Sequence, residues 1–174
     1  MNRKVKLVIL DIDGIMTDGK KYYGLDGIPF AKTYCDKDFT AIKRMRGAGI
    51  SVCFLSGDER VNKAMAENRN IDFYSARGKN KADFVPELSQ RYNTNVENMV
   101  YIGDDLFDIP IMERVGYAFC PSDSPEAVKD KCIILDRRGG ENVVAFLYDW
   151  LKKADLVSDC TLEDIERLDR NEKF

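Results

Sequence analysis

Short apolar runs alternate with amphipathic stretches along most of this chain, and that alternation leaves few folds open. Residues 5–10, 50–55, 72–75, 99–102, 117–120 and 132–135 each read as a short, largely buried strand. Between the first two, residues 36–46 place apolar groups at 39, 41, 42 and 45, a helical spacing with acids at its N-terminal end. Residues 61–68 put Val61, Ala64 and Met65 on one helical face. Helical patterns continue over 81–92, over 107–115 with Pro110 in the first turn, and over 124–131 and 141–152. Strands that alternate with helices in this way build βαβ units with right-handed crossovers. The expected fold is therefore α/β, a Rossmann-like parallel sheet with helices on both faces. Residues 20–34 break the rhythm. Tyr22-Tyr23, Gly24, Asp26-Gly27, Phe30 and Thr33-Tyr34 predict a small β-hairpin after the first strand.

The length of 174 residues suits one domain, expected over 1–153. The remainder, 154–174, carries seven acids against three bases, with Leu162, Ile165 and Leu168 as a narrow helical stripe. That tail reads as a solvated, loosely docked helix or as a subunit contact. With 27 Lys and Arg against 30 Asp and Glu, the charge balance disfavours a strongly basic nucleic-acid binder, and no nucleic-acid partner is expected. No apolar run is long enough for a membrane span or a signal segment. Five cysteines, an odd number without C-x-x-C spacing, fit a reducing cytoplasm. The single C-x5-R match, Cys132 to Arg138, falls on a predicted strand and lacks the loop that a cysteine phosphatase needs.

The chain has no histidine. That removes Ser-His-Asp and Cys-His hydrolases, phosphohistidine chemistry and His-ligated metals. In a parallel sheet the active site lies at the carboxyl ends of the strands. There the sequence presents Asp11-Ile12-Asp13-Gly14, then Ser56-Gly57-Asp58, then Gly78-Lys79-Asn80-Lys81, then Gly103-Asp104-Asp105 with Asp108 a turn later. Clustered carboxylates without His or Cys suit Mg²⁺. A lysine and a hydroxyl beside free backbone N–H groups suit a phosphoryl group, with a carboxylate as nucleophile.

These residues resemble the haloacid-dehalogenase superfamily of phosphotransferases. The first motif stands as Asp11-Ile12-Asp13-Gly14-Ile15-Met16-Thr17-Asp18-Gly19. Its Thr-Asp-Gly extension is similar to one branch, the 3-deoxy-manno-octulosonate 8-phosphate phosphatases and their nonulosonate 9-phosphate relatives. Ser56-Gly57, Gly103-Asp104-Asp105 with Asp108, and Arg137-Arg138-Gly139-Gly140 match as well. The resemblance covers about residues 5–152. It implies a capless domain whose hairpin stands in for a cap, and a homotetramer in which neighbours help to close each site. It implies Asp11 as nucleophile and Asp13 as general acid and base. Mg²⁺ would be held by Asp11, Asp104 and the Asp13 backbone carbonyl, with Asp105 on a metal-bound water and Asp108 supporting the loop. Ser56, Gly57 and Lys81 would hold the phosphoryl group. Thr17, Phe39, Asp58, Arg137 and Arg138 are the substrate-side positions, either arginine, in its own or a neighbouring subunit's site, being able to pair with a sugar carboxylate.

The chain departs from the branch at four places. Lys81 follows Gly78 by three residues rather than four, which leaves Lys79 as an alternative. Phe39 stands where a small residue is usual, Asp58 where Arg or Lys is usual, and Asn142 where a glycine usually follows Gly-Gly-x. The expected activity is a Mg²⁺-dependent phosphomonoesterase acting through an aspartyl phosphate on a phosphorylated keto-deoxy sugar acid in surface-glycan (lipopolysaccharide) biosynthesis. The alternatives are a phosphatase of another sugar or nucleotide phosphate, a signalling receiver domain, and a catalytically silent binding or assembly module.

Overall fold

Leu7–Leu10 (β1) lies near the middle of a six-stranded sheet in which every pairing is parallel. The other strands are Ser51–Ser56 (β4), Asp72–Ser75 (β5), Met99–Ile102 (β6), Tyr117–Pro121 (β7) and Ile133–Leu135 (β8). Tyr22–Tyr23 (β2) and Pro29–Ala31 (β3) form a separate antiparallel hairpin. This computed structural model describes residues 4–173; residues 1–3 and 174, the outer ends of the expected domain and tail, lie outside them. The spatial order is β5-β4-β1-β6-β7-β8. The chain winds outward from β1 in one direction, then returns to wind in the other. The crevice at the carboxyl ends of β1, β4 and β6 is therefore the topological switch point.

Alternation along the strands builds two cores. Val8 and Leu10 face one layer with Val52, Phe54, Val100 and Ile102, and it is covered by Asp36–Gly47 (α1) and Val143–Lys153 (α6). Leu7 and Ile9 face the other with Cys53, Leu55, Met99 and Tyr101. Its cover is a 3₁₀ turn Lys81–Phe84 leading into Val85–Arg91 (α3), then Ile109–Met112 (α4) and Glu126–Lys129 (α5). Helices thus cover both faces. The predicted helix 81–92 is split because Pro86, early in α3, has no N–H to donate to a preceding turn. Arg60–Asn68 (α2) turns a different face inward from the one its apolar residues suggest. Asn62 and Ala66 are buried, while Ala64 is exposed.

Two polar contacts order the first layer. Asn142, just before α6, gives its helix no side-chain cap. Asp38 on α1 does so from across the interface, its Oδ1 accepting from the Val144 and Ala145 N–H groups at 2.9 Å each. A cap of this kind is worth about 1 kcal/mol. Asp38 is fully buried and its Oδ2 has no partner, and burial raises its carboxyl to about 6 despite those two bonds. The tail forms Leu162–Asp169 (α7), capped by Thr161 and Asp164, and packs on α1. Ile165 and Leu168 are half-buried, whereas Leu162 stays exposed. Lys43 pairs with Asp169 and Glu172, and Arg69 bonds Glu172 at 2.6 Å. Among the described residues no helix is long and apolar enough to cross a membrane.

Candidate active site

Asp11 leaves β1 with its backbone N–H still bonded to Ile102 of β6, so the sheet itself fixes its position. Its Oδ1 accepts from the Ile12 N–H at 2.7 Å, and its Oδ2 accepts from the Lys81 ammonium at 2.8 Å. Lys81 opens the 3₁₀ turn that Asn80 caps through the Ala82 N–H. Burial alone would lower the Lys81 pKa. Asp11 and Asp108 outweigh it and hold the ammonium well above its usual range. Burial raises Asp11 to about 6, against the lowering effect of Lys81, with the charge of Asp108 adding to the rise. Lys79 is exposed instead, its ammonium 5.6 Å above the Phe84 ring, so Lys81 is the lysine that reaches Asp11.

Asp108 is fully buried and fully used. Its Oδ1 accepts from Lys81 at 2.6 Å and from the Tyr101 hydroxyl at 2.6 Å. Its Oδ2 accepts from the N–H groups of Asp104 and Asp105 at 2.9 and 3.0 Å. It therefore shapes the Gly103-Asp104-Asp105 loop. Asp105 is exposed, lines the same cleft as Asp11 and accepts from the Leu106 N–H.

Carboxylate oxygens of Asp11, Asp104 and Asp108 lie within 4.8 Å of one another. Asp104 is the uncompensated member, because no donor among the described residues meets its carboxylate. Burial, then repulsion from Asp11, Asp108 and Asp105, raises it to about 8. Its carboxylate lies directly over Gly14, where a Cβ would come within 1.9 Å of Oδ2 and the backbone holds φ +82°, so glycine suits the position on both counts. With the oxygens of Asp108 committed to four donors, Asp11 and Asp104 remain open. An all-oxygen, electron-rich pair of this kind fits a hard divalent cation.

Asp13, Ser56, Gly57 and Asp58 join Asp11, Lys81 and Asp104 around one open cleft of about 1140 Å³. Ser56 ends β4, and its Oγ accepts from Asn62 Nδ2 at 3.1 Å. Arg77 and Lys79 bring positive charge to the wall, and Leu106 and Phe107 stand exposed at the rim.

The haloacid dehalogenase-like hydrolase profile matches residues 60–145. The cobalt-bound structure of the deoxy-D-mannose-octulosonate 8-phosphate phosphatase of Haemophilus influenzae aligns with a TM-score of 0.81 at 30% identity, covering 87% of this chain and 89% of that one. The chain belongs to the haloacid dehalogenase-like hydrolases. A curated 3-deoxy-D-manno-octulosonate 8-phosphate phosphatase of the same organism is 29% identical over 152 residues, 86% of this chain and 84% of the relative. The structure of the corresponding Yersinia pestis phosphatase is 26% identical with a TM-score of 0.79, covering 91% and 88%. With these relatives goes the class of enzyme, a phosphoric monoester hydrolase.

Within this haloacid dehalogenase-like frame, two substrate-side expectations need correction. Phe39 does not face the cleft. It is buried in the first core layer, 5.8 Å from the Tyr34 ring and beneath the Arg69 guanidinium at 3.9 Å, because helical spacing aligns it with Ile42 and Met45. Thr17 is fully buried and organises the first loop, its Oγ1 accepting from the N–H groups of Gly14 and Gly19. Arg137 and Arg138 do not line the cleft of their own chain, and their reach into a neighbouring subunit's site stands as an expectation. Arg137 stacks on Phe146 at 4.6 Å, and Arg138 faces Asp123 and Glu141. The loop they belong to still touches the site through backbone, since a Cβ on Gly139 would meet the Gly14 carbonyl at 1.8 Å. Asn142 adopts φ +57°, so it supplies the left-handed turn expected of the missing glycine.

Four residues of the site escaped the sequence reading. Lys32 bonds Asp13 and Asp58, and Lys21 bonds Asp58 at 3.0 Å and lies 3.5 Å from Asp13. Asn62 links Asp13 to Ser56, and Tyr101 links Lys81 to Asp108. Both lysines lie inside the predicted hairpin segment 20–34, next to its two strands, and that position was the one available signal. Tyr101 sat unnoticed inside an apolar run, and Asn62 inside an amphipathic helix.

Proposed function

We propose that the chain is a Mg²⁺-dependent sugar-acid phosphatase with Asp11 as nucleophile. The observation that carries this reading is the buried Lys81–Asp11 contact beside the donor-free Asp104, with Asp13 two residues further along the same loop. An Asp11 oxygen attacks phosphorus, and the bond from phosphorus to the sugar oxygen breaks. The departing oxygen takes the bond's electron pair and a proton from Asp13. Water then attacks the aspartyl phosphate and gives its proton to Asp13. The acyl oxygen–phosphorus bond breaks, releasing phosphate and restoring Asp11. Lys81 and Ser56, with the N–H groups near Gly57, hold the phosphoryl oxygens. Mg²⁺ held by Asp11, Asp104 and the Asp13 carbonyl would, when bound, neutralise negative charge on those oxygens. The cobalt-bound relative supports a divalent cation here.

The relatives favour 3-deoxy-D-manno-octulosonate 8-phosphate as substrate, on the route to lipopolysaccharide. One observation favours a second reading, a phosphatase of a different sugar or nucleotide phosphate. Asp58 turns a carboxylate into the cleft where the branch usually carries a base. The test is phosphate release from a panel holding octulosonate 8-phosphate, a nonulosonate 9-phosphate and simple sugar phosphates, with and without Mg²⁺. Release concentrated on octulosonate 8-phosphate is the expected result. Release concentrated on a nonulosonate would keep the branch and change the sugar acid, and release concentrated on a simple sugar phosphate would favour the second reading. No release from any ester would favour a silent binding module.

The five free cysteines support a cytoplasmic setting. A homotetramer is the expected assembly. The hairpin supports it by exposing Tyr22, Tyr23, Leu25 and Phe30 together beside the cleft, which is the kind of patch that marks a protein contact. The solution mass by light scattering should be that of four chains. A monomer across the working concentration range would refute this.

A further inference from the structure

Both feet of the hairpin carry a lysine into the site, Lys21 before β2 and Lys32 after β3. Lys32 is the unusual one. Its side chain has no exposed surface, yet its ammonium donates to Asp13 Oδ1 at 2.7 Å, Asp58 Oδ2 at 2.7 Å and Asn62 Oδ1 at 2.8 Å. An ammonium has three donors, and all three are taken. Lys32 therefore has nothing left for a substrate and can act only by holding what it touches. Burying an ammonium is costly unless it is fully paired, and here the partners come from three separate pieces of chain: the first loop, the end of β4 and α2. Asn62 closes the network, donating to Asp13 Oδ2 at 3.3 Å and Ser56 Oγ at 3.1 Å.

We infer that Lys32 is a positioning residue for proton transfer by Asp13. Its short bond takes Oδ1 and fixes the carboxylate plane. Oδ2, with only the longer contact from Asn62 and Lys21 at 3.5 Å, is left as the oxygen that meets the leaving group. Asp58 is then the counter-charge that keeps Lys32 in place. Its bond from Lys21 on the cleft side fixes it in turn. The hairpin thus reaches into the chemistry through its feet. A two-stranded hairpin is marginal alone, and these ion pairs tie it to the body. The inference rests on the reading of Asp13 as the proton carrier.

The test compares the first turnover of two aryl esters by Lys32→Met in the full chain. The leaving group of p-nitrophenyl phosphate departs without a proton, whereas that of phenyl phosphate depends on one. Lys32→Met should slow the first turnover of phenyl phosphate by about 10- to 100-fold, and that of p-nitrophenyl phosphate by no more than about threefold. A purely structural lysine would slow both alike, and that result, or no slowing of either, overturns the inference. Asp13→Asn is run alongside. If it discriminates between the esters and Lys32→Met does not, the inference falls and Asp13 keeps its role. If Asp13→Asn treats the esters alike, the reading of Asp13 falls and the inference falls with it. Should Lys32→Met fail to fold, Lys32→Met/Asp58→Asn removes one charge of each sign, and the same comparison decides.

Discussion

Asp11→Asn should lower turnover of p-nitrophenyl phosphate by about 10⁴-fold or more while the protein keeps its fold. An amide offers no anionic oxygen to attack phosphorus, so the covalent route closes, and what remains is the help of binding and of Lys81 alone. The fold should survive because the change is nearly isosteric and removes a charge that the interior already resists. Burial and Asp108 raise the Asp11 carboxyl to about 6, so its ionised form is carried at a cost. Lys81 loses one partner and keeps two, Asp108 at 2.6 Å and the Tyr101 hydroxyl at 3.1 Å. Phosphate release and a thermal melt on the same preparation check both halves. Activity within tenfold of the unaltered chain would remove Asp11 from the nucleophile's role, whatever the melt shows.

How far the site could be read from the sequence depended on how local each residue's placement is. β5 and β6 fall on the predicted residues 72–75 and 99–102, because a short apolar run next to a polar turn has few other ways to be buried. Asp11, Ser56 and Asp104 were legible because each lies at or just beyond a strand end, and Lys81 because it opens the turn after the loop that follows β5; a parallel sheet brings strand ends together whatever the helices do. Lys32 follows a strand of the hairpin, which is not part of that sheet. Its contact with Asp13 depends on how residues 20–34 fold back, a long-range outcome with no periodic signal. Phe39 shows the converse error. A family position suggested a substrate-facing ring, but the helical period of α1 had already assigned that side to the core along with Ile42 and Met45. Asn62 was hidden because an amphipathic reading looks for apolar residues. α2 buries a polar one, whose amide is satisfied by Asp13, Ser56, Lys32 and Tyr34. Buried polar groups that serve a site break the hydrophobic pattern and are invisible to it.

The second large effect concerns the carboxylates and the cation. In metal-free protein Asp11 titrates at about 6 and Asp104 at about 8, both raised first by burial and then by neighbouring carboxylates. Unfolded, each would titrate near an ordinary value of about 4. Between those limits the folded chain binds more protons than the unfolded one, so stability must fall as pH rises from about 4 to about 8. Asp38, raised to about 6 by its own burial, adds to the same slope from outside the cleft. A divalent cation replaces the missing protons only when the carboxylates are ionised. Mg²⁺ should therefore raise the melting temperature clearly at pH 8 and little at pH 5, and a chelator should abolish turnover at pH 8. Asp104→Asn should remove most of the Mg²⁺-dependent shift and flatten the metal-free slope above pH 6, leaving the contributions of Asp11 and Asp38 below it. These outcomes separate a metal site from a mere acidic cluster, since a cluster relieved by protonation alone would show the slope without the cation's effect. A melting temperature at pH 8 that Mg²⁺ does not move, together with turnover that survives chelation, would mean that Lys81 alone balances these acids and that no cation belongs there.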